Sequence, residues 1–365
     1  MFVYAEQLLQ TLIDIIRIPS TSGHEEYVRA YLEKRLTALG LPVQIDETGN
    51  LIATLEGEGQ PLLLNAHMDR VPPGLGHKPV LRNGVIYSDG QTNLGADDAA
   101  GLTIILEVLR RTIEQQLPHP PLVILFTVQE ETGLCGARDF DGSQWNVQDG
   151  LVFDNAFEPG IVVSKGAAIE RFDVTITGKT GHPGKDLTGT VNAIEIFRTV
   201  NIPHGILAND QTRINIGRIS GGRARNAVPD KLVIEGELRS YESLEERQKY
   251  RIALQVGFEE AAERLGGSIE MQFQISEGYV VQPNEPLLNV YQAALAQRGA
   301  HLQMQPTLIG SDTGGFRPQI RAFTISTGVV DEHTSQEHIA VAPLEQLVID
   351  TLQILHLWRE QTTSK

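Results

Sequence analysis

Hydrophobic and polar positions recur with two different periods along this chain, and the change of period divides it. Near the start, Leu8, Leu9, Leu12, Ile13, Ile15 and Ile16 make a broad helical stripe. Beyond Pro19, the pair Ser22 and Glu25 has capping-box spacing. It predicts a second helix through Val28, Leu32, Leu36 and Leu39, stopped by Gly40. Short continuous apolar runs then follow at 51–55, 62–64, 122–128 and 151–153, with a helix over 101–115 between the second and the third. Such runs between helices predict an α/β domain whose mostly parallel, buried sheet is flanked by helices.

From about Lys165 the texture is half-polar. RFDVTIT alternates, VNAIEIFRTV is helical, RINIGRI and KLVIEGELR alternate, 242–264 reads as a long charged helix, and SIEMQFQI alternates again. This β-α-β-β-α-β order is the ferredoxin-like split βαβ pattern, a small sheet with one solvated face. After 277 the first texture returns, with a helix near 287–298, a strand at 322–327 and a C-terminal helix through Leu344, Leu347, Leu352, Leu355 and Leu357. The expected organisation is one domain made of 1–164 and 278–365, interrupted by an inserted domain over 165–277. No internal repeat or low-complexity segment complicates this division.

Composition narrows the function classes. The chain has 365 residues, 41% of them hydrophobic, and a formal net charge of −16 with no basic block to offset it. Nucleic acid and anionic membranes are therefore not expected partners. No apolar stretch reaches the ~18 residues of a membrane span. The N-terminal segment carries Glu6 and Asp14 where a signal peptide would be basic and then apolar. A single cysteine, Cys135, forms no internal disulfide and suits a reducing compartment, so a cytoplasmic protein is expected.

The apolar runs end in chemistry. PLLLNAHMD places His67 and Asp69 past one strand, TNLGADDAAG places Asp97 and Asp98 before a helix, and FTVQEETG places Glu130 and Glu131 past the next strand. LVFDNA adds Asp154, and FTISTGVVDEHTSQEH adds His333. Singly, each has a bland reading: a satisfied histidine, a helix cap, a solvated loop. In an open α/β sheet, however, all carboxyl strand ends meet in one crevice. Adjacent carboxylates about 4 Å apart repel by roughly 4 kcal/mol at an effective dielectric near 20, so a partly buried pair is exposed, protonated or neutralised by a cation. Two histidines and several carboxylates in one crevice favour the cation, with zinc preferred by the imidazoles.

At these motifs the chain resembles the co-catalytic di-zinc exopeptidases and amidohydrolases that include peptidase T, carboxypeptidase G and the aminoacylases. HMD, LGADDAAG, EETG and the late His-Thr-x-x-Glu are most similar to the peptidase T-like tripeptidases, over nearly the whole chain. The resemblance implies two zinc ions per subunit, with cobalt or manganese also suited to such ligands. His67 and Asp154 would hold one ion, Glu131 and His333 the other, and Asp97 would bridge both from a cis peptide preceding Asp98. Asp69 would orient the His67 imidazole, and Glu130 would be the general base that takes a proton from the attacking water and returns it to the leaving amine.

The same resemblance makes the inserted domain a lid that carries a homodimer interface in many members. His182 in TGKTGHPG would stabilise the tetrahedral oxyanion, from its own or a neighbouring subunit. Asn226 and Arg239 would hold the backbone or terminal carboxylate of a short peptide. SDTGGF, with Asp312, is similar to a substrate-side loop without a defined role. Ala99 departs from the lysine of many relatives, which bears on substrate preference. His77, His119, His204, His301 and His338 belong to no motif and are expected to be structural or exposed. The implied activity is aminopeptidase cleavage of tripeptides. A carboxypeptidase or N-acyl-amino-acid amidohydrolase on the same ions is the alternative, and a non-catalytic binding homologue is the alternative of another class.

Overall fold

The computed structural model describes residues 2–154, 157–185 and 187–363, and these form two compact units, one of the described residues up to Gly166 and from Tyr279 onward, the other of those between Ala167 and Gly278. The first unit opens with helices α1 (Phe2–Arg17) and α2 (Glu26–Ala38), then strands β1 (Val43–Ile45), β2 (Leu51–Leu55), β3 (Leu62–His67), β4 (Val80–Arg82) and β5 (Val85–Tyr87). Helix α3 (Ala96–Glu114), β6 (Leu122–Thr127), α4 (Cys135–Asp139), β7 (Asp149–Asp154) and β8 (Val162–Gly166) follow. The second unit holds β9 (Ala168–Thr177), α5 (Ala193–Arg198), β10 (Gly205–Leu207), β11 (Thr212–Gly221), β12 (Lys231–Ser240), α6 (Leu244–Leu265) and β13 (Ser268–Ser276). The chain returns to the first unit with β14 (Tyr279–Val280), α7 (Pro286–Gln297), β15 (Met304–Thr307), α8 (Asp312–Phe316), β16 (Arg321–Ser326), β17 (Val329–Val330), β18 (His338–Ala340) and α9 (Val341–Thr363).

Among the described residues of the first unit, the main sheet runs β1-β2-β6-β3-β7-β16-β8-β14, with β15 also on β8. Its centre, β6-β3-β7-β16, is parallel, and the flanks β1-β2-β6 and β16-β8-β14 are antiparallel. The predicted α/β fold with a mostly parallel core is present. Alternate residues of the central strands serve opposite faces. Leu62, Leu64, Ile124, Phe126 and Phe153 join the large core built with α1, α3, α7 and α9, whereas Leu63, Leu125 and Val152 face Ala137, Phe316 and Ile320 near α4 and α8. Burial on both sides explains why these strands read as continuous apolar runs. A separate small sheet, β17-β18-β5-β4, was not foreseen, since strands of two or three residues carry too little periodicity.

The second unit forms the antiparallel sheet β10-β11-β12-β9-β13. Its one-sided core packs Phe172, Val174, Ile176, Ile234 and Leu238 against Ile196 of α5 and Leu254 and Phe258 of α6. Helix α6 starts at Ser243, which accepts the Glu246 amide, and stops at Gly266 in the left-handed region, φ +76°. Only the edge strand β10 was missing from the expected order.

One local prediction fails. Ser22 and Glu25 form no capping box, and α2 begins at Glu26 without any side-chain cap. Ser22 Oγ instead donates to Asp69 Oδ2 at 2.6 Å, and Glu25 Oε1 accepts the amides of Gly23 at 2.8 Å and Gln129 at 3.2 Å. The predicted helix is present but starts at Glu26 rather than directly after Ser22, and Ser22 and Glu25 each have a partner distant in sequence.

Candidate metal centre

In the parallel centre, His67 pairs in register with Thr127, and Asp154 with Ser326, so the carboxyl ends of β3, β6, β7 and β16 align. β3 lies between β6 and β7, and the chain leaves it for one side and crosses it to the other. Such a reversal leaves a crevice beyond the strand ends. The loops after these strands, and the start of α3, deliver the predicted acids and histidines to it.

Asp97 sits between two imidazoles. Its Oδ1 is 3.4 Å from His67 Nε2, and its Oδ2 is 3.4 Å from His333 Nε2. Asp154 Oδ1 lies 3.9 Å from His67 Nε2, and Glu131 Oε1 lies 2.9 Å from His333 Nε2. The peptide between Asp97 and Asp98 is cis. His67 Nδ1 meets the Asp69 carbonyl at 3.0 Å and the Asp69 carboxylate at 3.4 Å, which makes Nδ1–H the donor to Asp69 and turns Nε2 toward Asp97. His67, Asp97 and Glu131 offer ligand atoms all within 4.8 Å of one another, the spacing a metal ion needs. His333 is a non-glycine residue in the left-handed region, φ +64°, a conformation concentrated at functional sites.

The charges do not balance locally. Burial raises Glu130 well above the usual carboxylate range, with the Glu131, Asp312 and Asp69 charges adding to it. Burial and the Asp97 charge do the same to Asp154, and burial raises Glu131. Burial alone would raise Asp97 and depress His67. The two imidazoles reverse this for Asp97, and the Asp69 and Asp97 contacts with nearby acidic charge push His67 well up. Contacts to Asp97 and Glu131 raise His333 to about 10. Among the described residues Asp97 Oδ1 is buried without a hydrogen-bond partner. Two imidazoles, three acidic side chains and this orphaned oxygen fit divalent cations, which would hold the histidines neutral and the acids ionised.

Neighbouring carboxylates hold the loops that carry these groups. Asp69 Oδ1 accepts the Glu130 amide at 2.8 Å, and Oδ2 accepts the Glu131 amide at 3.2 Å. The tandem glutamates are thus pinned through their backbone, and Glu25 grips the preceding amide of Gln129. Buried Asp98 accepts the His67 amide at 3.2 Å and the Gly101 amide at 2.8 Å. Glu337 accepts the amides of residues 94–97. Ser22, Glu25, Asp98 and Glu337 had been given no site role. Asp98 and Glu337 stand in quoted motifs, LGADDAAG and His-Thr-x-x-Glu, whereas Ser22 and Glu25 carry no such signal. Asp312, fully buried, accepts from Thr127 Oγ1, and burial raises it to about 6. Ala99 is packed in the core. His77 is buried on Asn93 Oδ1 at 2.8 Å, and His338 stacks on Tyr87.

His182, Asn226 and Arg239 belong to the second unit and are placed by its own contacts. His182 is exposed, and its Nδ1 accepts the Gly184 amide at 3.1 Å, so the neutral ring carries its proton on Nε2 as an available donor. Asn226 lies in the exposed loop between β11 and β12. Arg239, on β12, makes a two-pronged contact to Glu237 through Nε at 2.9 Å and Nη2 at 3.1 Å.

Sheet, inserted unit and ligand cluster together define a class, and comparison with known proteins agrees. Residues 63–355 match the model of peptidase family M20/M25/M40, and the chain belongs to that family. It is thus an enzyme of a peptidase family. It is 31% identical to the uncharacterized protein YqjE of Bacillus subtilis (strain 168), over 95% of this chain and 96% of the other. The crystal structure of a tripeptidase from Staphylococcus aureus is similar at TM-score 0.86 and 30% identity, covering 98% of this chain and 99% of that one. Aminopeptidase PepT from Bacillus cereus is similar at TM-score 0.80 and 29% identity, covering 97% and 98%. Among the described residues no helix is long and apolar enough to cross a membrane.

Proposed function

We propose that this chain is a metal-dependent aminopeptidase that removes the N-terminal residue of short peptides, tripeptides first. The observation that carries it is the position of Asp97, one oxygen toward each imidazole at 3.4 Å. The tripeptidase and PepT relatives support the substrate class. In this reading His67 and Asp154 would hold one ion, His333 and Glu131 the other, and Asp97 would be shared between them. Divalent ions bound there would supply Lewis acidity for the peptide carbonyl and for water, and zinc, cobalt or manganese suits the donors.

The chain's own groups do the rest. Glu130 is buried and pinned by Asp69 beside the ligand Glu131, and it takes the proton of the attacking water and passes it to the leaving amine. The tautomer of His182 leaves its Nε2 proton for the developing oxyanion. Asn226 and Arg239 hold the peptide backbone and terminal carboxylate, and a substrate carboxylate replaces Glu237 on the guanidinium fork. The second unit serves as lid. A homodimer through this unit belongs to the same reading. The lone Cys135 supports a cytoplasmic location.

Paired tripeptides with free and N-acetylated amino ends test the reaction. Free-amine substrates should be cut at the first peptide bond, and blocked ones at least roughly tenfold more slowly, a loss of about 1.4 kcal/mol of transition-state binding. Faster cleavage of the blocked forms would assign the site to an amidohydrolase instead.

A further inference from the structure

Glu337 lies four residues beyond His333 and is 1% exposed. Its Oε2 accepts the amides of Leu94 at 2.9 Å and Gly95 at 3.1 Å, and its Oε1 those of Ala96 at 2.7 Å and Asp97 at 3.2 Å. These amides are the N-terminus of α3, whose N-cap Gly95 turns the chain through the left-handed region with φ +71° and adds the amides before the helix to the same row. A Cβ there would sit 2.8 Å from Arg70 Cδ and 3.1 Å from His77 Nε2, so the loop is closed in from behind as well. Such a row of amides is an anion-binding nest. Here the chain fills the nest with its own carboxylate.

The other end of Glu337 is equally fixed. Its carbonyl accepts the Ser88 amide at 3.0 Å, and the following strand β18 pairs with both β5 and β17. His333 lies in the β17–β18 turn, so one hairpin carries both the His333 imidazole and the carboxylate that grips the Asp97 loop. Glu337 thus links the Asp97 loop to the hairpin that carries His333. Asp69 plays the matching part on the other side, holding the amides of Glu130 and Glu131.

We propose that Glu337 is a positioning residue that fixes Asp97 at the spacing needed to serve two ions at once. The proposal rests on the reading of Asp97 as the shared ligand. It adds that affinity for the second ion would depend on a structural carboxylate outside the proposed ligand set. Glu337→Gln keeps shape and volume, but its amide nitrogen would face two N–H donors in place of an acceptor. Glu337→Asp keeps the charge and is one methylene too short to reach all four amides.

The test uses metal-free full-length chain titrated with cobalt, followed by the absorption of the bound ion and by metal count in native mass spectrometry. Wild type should bind two ions. Both variants should bind the second ion roughly 10- to 100-fold more weakly, the usual effect of losing a residue that supports a ligand. Amide hydrogen exchange over 94–97, measured without metal, should speed up in both. Glu285→Gln, a buried carboxylate that accepts the Gln282 amide before α7, is the control for general destabilisation and should leave both readouts unchanged. Two-ion binding at wild-type affinity, or unchanged exchange over 94–97, in either folded variant would overturn the role of Glu337. A wild-type chain that binds fewer than two ions would overturn the shared-ligand reading and this proposal together.

Discussion

Replacing Asp312 by asparagine should stabilise the metal-free protein at pH 8 and leave it nearly unchanged near pH 4. Asp312 is 1% exposed, one oxygen accepts from Thr127, and the other is buried without a hydrogen-bond partner among the described residues. Burial raises its carboxyl from 3.8 to about 6. Between those values the folded chain binds more protons at this site than the unfolded chain. Stability therefore falls as pH rises through that window and is level above it. Two units at about 1.4 kcal/mol each make the cost of the ionised group about 3 kcal/mol at pH 8. Asparagine removes that charge and keeps an oxygen for Thr127. Urea denaturation of both proteins in chelator at pH 4, 6 and 8 reads the effect as a change of midpoint at constant slope. A variant less stable than wild type at pH 8, or a gain that does not shrink toward pH 4, would refute the account of this buried polar cluster.

Three further substitutions address the site. Glu130→Gln should keep fold and metal content and lower kcat by roughly 10²- to 10⁴-fold, the usual contribution of a general base; turnover within a few-fold of wild type, measured by amine release, would remove Glu130 from that role. Asp69→Asn retains one acceptor where the carboxylate served the Glu130 and Glu131 amides and Ser22, and should cost about 2 kcal/mol in chemical denaturation together with a loss of kcat. An unchanged kcat would mean that the tandem glutamates hold their place without it. Arg239→Ala should raise KM for free tripeptides and leave tripeptide amides little affected, and equal effects on both would show that the guanidinium does not read the terminal carboxylate.

How much was legible in the sequence depended on the range of each interaction. Runs such as 62–64 and 122–128 were readable because parallel strands buried on both faces need apolar residues without alternation, and their chemistry-bearing ends followed from topology. The inserted unit was readable for the opposite reason, since one solvated face gives alternation. The two- and three-residue strands of the small sheet left no period to detect. Ser22 and Glu25 were misread because their spacing matches a local cap, while Asp69 and Gln129, their partners, are distant in sequence. Glu337 stood in a quoted motif, but backbone amides as its partners leave no mark in the amino-acid letters. Arg239 could be singled out, whereas its engagement by Glu237 two residues earlier required the strand to place both on one face.

The central claim is that Asp97 is shared between two ions, and anomalous X-ray scattering from crystals of the zinc-loaded protein tests it most directly. Two peaks should flank Asp97, about 3.5 to 4 Å apart, one beside His67 and Asp154 and the other beside His333 and Glu131. A single peak, or a pair of peaks that leaves Asp97 outside the coordination of either, would contradict the account.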